Sequence, residues 1–112
     1  MKRASRHKKN IKRERLFIDE SFALHKSKGN GTIRRQIWHD DEKKVTRYSL
    51  AYINHHLFSG DNGRVLGYDN AHGYHHKHEM GTIVPTPFKI FADIEKQFQQ
   101  ELEVIREKIR KK

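Results

Sequence analysis

With 112 residues, 34% of them hydrophobic and 34% charged, the chain is expected to form one domain with a single modest core. It has no cysteine, which excludes disulfides, thiolate metal sites and a thiol nucleophile. Its formal net charge of +10 sits on the two ends: residues 1–15 carry eight Lys/Arg against Glu14, residues 106–112 carry five against Glu107, and the middle is close to neutral.

The N-terminal stretch MKRASRHKKNIKRER has no apolar segment after its charges, so it does not read as a secretory signal. No run approaches membrane-spanning length, and a cytoplasmic protein without a membrane partner is expected. Residues 1–15 read as a basic N-terminal arm or helix. Its Lys2, Arg3, Arg6, Lys8, Lys9, Lys12, Arg13 and Arg15 would hold RNA phosphates without sequence preference, or would only solubilise the chain.

Residues 16–112 read as a single α+β domain. From Asn10 to Lys28 a basic helix running into a strand at Ser21–His25 is predicted, because Phe17, Ile18, Phe22 and Leu24 fit neither period cleanly. KGNG, Lys28–Gly31, is a turn. Thr32–Trp38 alternates as a strand, and Val45–Ile53 has the β-branched and aromatic composition of another. There Trp38, Tyr48 and Tyr52 are expected to be core residues rather than base-stacking ones. His55 and His56, in YINHHLF, are expected at a strand end and outside any site.

SGDNG, Ser59–Gly63, marks a tight turn into a strand at Arg64–Asn70, so an antiparallel β-meander is predicted. After an extended Gly81–Pro85, Thr86 and Pro87 read as N-cap and first residue of a helix. Phe88, Phe91, Ile94, Phe98, Leu102, Ile105 and Ile109 recur at steps of three and four and give that helix one apolar face. The expected architecture is a small antiparallel sheet packed on a long C-terminal helix, whose last turns are available to contact a second copy of the chain in a homodimer.

GYDN, a short glycine-containing loop and a His-basic-His triplet, placed between a meander and a C-terminal helix, resemble the TumE-like toxins of bacterial toxin–antitoxin pairs. The residues that carry the resemblance are Arg64, Val65, Gly67, Tyr68, Asp69, Asn70, Gly73, His76, Lys77 and His78. Weaker similarity of strand pattern extends over roughly residues 20–105 and leaves the first fifteen outside. The resemblance implies a growth-inhibiting protein neutralised by a cognate antitoxin, often a helix-turn-helix protein. It names no reaction.

The chemistry is argued from the residues. Side chains two apart on a strand share a face, so His76 and His78 point one way, and Val65, Gly67 and Asp69 share a face likewise. If the two faces coincide, a carboxylate and two imidazoles converge. One histidine could then take a 2'-hydroxyl proton, the other protonate a leaving 5'-oxygen, Asp69 fix a tautomer, and Lys77 or Arg64 face the phosphate. This metal-free, cofactor-free ribonuclease site is the favoured reading. In its rival the same two histidines and Asp69 hold a divalent metal. The residues are also compatible with a non-catalytic nucleic-acid or ribosome-binding protein acting through its basic ends, and with a surface serving only the antitoxin interface. The blandest reading is a plain turn closed by Asp69, Asn70 and Gly73.

Overall fold

Both glycine-rich stretches are turns in the computed structural model, which describes residues 13–87 and 90–111. Gly29, Asn30 and Gly31 have φ of 109°, 66° and 87°, and Asp61, Asn62 and Gly63 have 50°, 55° and 82°. Left-handed backbone of this kind is why Gly, Asn and Asp occupy these positions. At Gly31 the requirement is also steric, since a Cβ would lie 2.5 Å from the carbonyl oxygen of Ile53.

The strands between the turns are β1 (Arg15–Ala23), β2 (Thr32–His39), β3 (Val45–Ile53), β4 (Arg64–Asp69), β5 (His76–Glu79) and β6 (Thr82–Pro85). They form one antiparallel meander in chain order. An α-helix, α1 (Phe91–Arg110), packs on one face. The core is built from Tyr48, Leu50 and Tyr52 of β3, Val65, Leu66 and Tyr68 of β4, and Ile94, Phe98 and Leu102 of α1, with Phe91 and Ile105 partly buried against it. The predicted helical stripe therefore packs on this chain's own sheet as far as Ile105.

Three local expectations are corrected. The segment predicted as basic helix is strand from Arg15 onward, paired along its length with β2 from Arg15↔His39 to Ala23↔Thr32. An irregularity between Leu16 and Ile18 breaks the alternation there, which is why Phe17 and Ile18 fit no single period. The helix starts at Phe91 rather than Pro87, with Ile90 as an N-cap that makes no side-chain cap bond. Thr86 instead donates its backbone N–H to the His75 carbonyl at 2.9 Å, which ties it to the sheet. Phe88 lies outside the described residues. Finally, Tyr48 and Tyr52 are core residues as expected, but Trp38 is half-buried on the sheet face away from α1.

Candidate active site

Asp69 stands opposite His76, and Gly67 opposite His78, in the β4–β5 ladder. Cross-strand partners project to the same face, so both histidines and Asp69 lie on the side turned away from α1. Asp69 Oδ1 is 2.7 Å from His76 Nε2, and Asp69 Oδ2 is 2.9 Å from His78 Nε2. All three residues are buried, at 8%, 3% and 5% exposure for Asp69, His76 and His78. Asp69 Oδ1 also accepts the backbone N–H of Ala71 at 3.0 Å, so the residue closes the turn and organises the histidines at once.

The two imidazoles are held differently. His78 donates Nε2–H to Asp69, and its buried Nδ1 has no hydrogen-bond partner among the described residues. In that tautomer Nδ1 carries a lone pair, and burial first, then the positive charge of Arg64, lower the pKa of His78, against the opposing pull of Asp69. His76 Nδ1 lies 3.1 Å from the Tyr74 carbonyl and donates to it. Its Nε2 then faces an anionic oxygen at 2.7 Å. A bare lone pair there would be repelled, and a second proton or a shared cation relieves the contact. Tyr74 also tilts its ring over His76, with centroids 4.6 Å apart.

Arg64 reaches the same centre, with Nη1 3.6 Å from Asp69 Oδ2. Two hydrogen bonds to Asp61, of 2.9 and 3.1 Å, hold its guanidinium. Gly67 makes room for its stem: a Cβ at Gly67 would lie 2.7 Å from Arg64 Cδ. Lys77 does not join this group. It projects to the opposite face, where Nζ is 3.2 Å from both Glu79 and Glu101, and Glu101 in turn accepts from the Tyr68 hydroxyl at 2.6 Å. Asn70 clamps the end of β4 to β3, accepting from Tyr48 N–H and donating to the Thr46 carbonyl.

Of the basic arm, Lys2, Arg3, Arg6, Lys8, Lys9 and Lys12 lie outside the described residues. Arg13 and Arg15 each approach Asp41, at 3.7 and 3.9 Å.

A family model described as Toxin TumE matches residues 4–109, nearly the whole chain. The chain belongs to the TumE toxin family. It is a toxin component, and membership of that family implies an antitoxin partner. The match begins at residue 4, so most of the basic N-terminal segment falls within the family's length, not outside it as the strand pattern suggested. No curated protein and no solved structure matches the chain. Among the described residues of this TumE-family toxin, no helix is long and apolar enough to cross a membrane.

The toxin's Asp69, His76 and His78 each offer a ligand atom, all within 4.8 Å of one another. That is the donor set of a two-His, one-carboxylate metal site. The fit differs between the histidines. His76 makes the bond to a backbone carbonyl that a metal-bound imidazole makes with its outer nitrogen, whereas His78 Nδ1 lacks any such partner. Tyr74 had no role in the sequence reading, and the part Gly67 plays in making room for Arg64 was not legible there; only spatial adjacency reveals them. His55 and His56 follow β3 and line a cavity of about 390 Å³ with Ser21, Thr32 and Arg34.

Proposed function

We propose that this toxin binds RNA and cleaves it by acid–base chemistry in which His78 is the base and His76 the acid. The observation that carries the reading is the buried, unpartnered Nδ1 of His78, whose opposite nitrogen is committed to Asp69. His78 Nδ1 takes the 2'-hydroxyl proton as that oxygen attacks phosphorus. His76 gives a proton to the departing 5'-oxygen, leaving a 2',3'-cyclic phosphate and a 5'-hydroxyl. Asp69 orients both rings. Arg64 moves from Asp61 to the phosphate, which uncovers the centre and opposes the charge of the transition state. Lys77 has no part in this scheme.

The second reading, a divalent metal on the same three side chains, is favoured by the His76–Tyr74 carbonyl bond. The basic N-terminal residues, on either reading, add non-specific affinity for RNA, and a helix-turn-helix antitoxin is the partner we expect. Wild type and His78→Ala are to be expressed in cells and RNA 5' ends mapped. New 5'-hydroxyl ends with the wild type alone are expected, and toxicity without new ends would leave binding, not cleavage, as the toxic act.

A further inference from the structure

We propose that Trp38 and Arg47 form a stacking subsite for an unpaired nucleobase of the RNA, on the sheet face that carries Asp69, His76 and His78. The inference rests on the RNA reading above. Trp38 stands opposite Arg47 in the β2–β3 ladder, and Ser49, two residues along β3, stands opposite Asp69. Residues two apart on a strand share a face, so the pair and the catalytic group are on one surface. Strand spacing and rise put the Arg47 and Asp69 backbones only about 8–9 Å apart.

The pair is built for a flat π-system. Arg47 Cζ lies 4.0 Å over the centroid of the Trp38 ring, a guanidinium stacked on an indole. Arg47 is exposed and Trp38 half-buried. Neither belongs to the core cluster beneath α1. Arg47 also lies 3.5 Å from Glu14, an exposed pair that costs little to give up. A base can stack on the outer plane of the guanidinium or displace it from the indole. Stacking of this kind is indifferent to base identity but requires an unpaired base, so the subsite selects single-stranded RNA.

Trp38 is the chain's single tryptophan, so its fluorescence reports this position alone. The probe is a single-stranded 2'-O-methyl oligonucleotide, which lacks the attacking hydroxyl, with a matched duplex as control. Binding is followed both by anisotropy of an end label and by tryptophan emission. The single strand is expected to quench Trp38 and the duplex to bind less tightly. Trp38→Ala should weaken single-strand binding roughly ten- to hundredfold, with Trp38→Phe falling between; the phenylalanine variant keeps the test usable should alanine unfold the sheet. Anisotropic binding without quenching, and with both variants at wild-type affinity, would overturn the subsite while leaving the RNA reading intact. Absence of any oligonucleotide binding would overturn both. Unchanged RNA affinity with lost neutralisation by the antitoxin in cells would assign this face to the antitoxin instead.

Discussion

Asp69 Oδ2 accepts the Nε2–H of His78 at 2.9 Å, and that bond decides which nitrogen of His78 presents a lone pair. His78→Gln separates the two nitrogens, because the glutamine amide can still donate to Asp69 while nothing replaces Nδ1. The variant is expected to fold with little change in Tm and to lose about 10²- to 10⁴-fold in single-turnover cleavage rate. Near wild-type cleavage by a folded His78→Gln would remove Nδ1 from the chemistry.

Chelation separates the two readings of the same side chains. With His76 and His78 as a proton-transfer pair, cleavage persists in excess chelator. Complete loss, with recovery on adding one divalent ion, would place that ion on Asp69, His76 and His78.

Burial, followed by the Arg64 charge, lowers the pKa of His78, so His78 should titrate below the ordinary histidine value of about 6.5. The unfolded chain takes up this proton near pH ~6.5 while the native state resists it. The contribution to stability is therefore complete above that pH and is lost as pH falls from there through the lowered native value. Arg64→Met removes the larger of the two charge effects that lower it, those of Arg64 and His76, and should move the titration upward. Histidine NMR of both proteins checks the order, and a wild-type titration at or above that of an unfolded histidine would contradict it.

Lys77→Met tests the opposite face. Its ammonium bridges Glu79 and Glu101 beside the buried Tyr68 hydroxyl, so the change should cost about 1–3 kcal/mol of stability, as for a lost partner of a charged hydrogen bond. Cleavage rate per folded molecule should stay within a few-fold of wild type. Selective loss of rate with unchanged Tm would return Lys77 to the reaction.

Deleting residues 2–12 removes six Lys/Arg and no acidic residue while sparing β1, which begins at Arg15. RNA affinity should fall and the slope of log K against log salt should flatten by about 0.7 for each lost phosphate contact. Because uniform binding is lost, KM should rise with kcat nearly constant. An unchanged salt slope would make the segment a solubilising or antitoxin-binding element.

Elements whose signal is local were legible in the sequence. Strict alternation marked β2 and β3, the positive-φ residues of KGNG and SGDNG marked the turns, and the steps of three and four from Phe91 to Ile105 marked the buried face of α1. Signals that depend on distant partners were not. β1 reads as a helix until β2 is laid beside it, because its irregularity at Leu16–Ile18 hides the period. The Thr86-Pro87 helix start is overridden by a hydrogen bond from Thr86 to His75 across the β5–β6 hairpin.

The site divides in the same way. Period-two spacing put His76 with His78 and Gly67 with Asp69, but the same spacing failed for Val65, which the irregularity opposite Tyr52 and Ile53 turns into the core while Arg64 reaches Asp69. Whether those two pairs meet depends on how the chain crosses from Asn70 to His75, and only the long-range β4–β5 register decides it. A slip of one residue would have set Lys77 beside Asp69 and turned both histidines toward α1. The register also decided that Lys77 serves the helix side and that Trp38 shares a surface with the histidines. Residue types and their spacing are written locally in the chain, but which of them come within 3 Å is fixed by strand pairing between segments that know nothing of each other until the sheet forms.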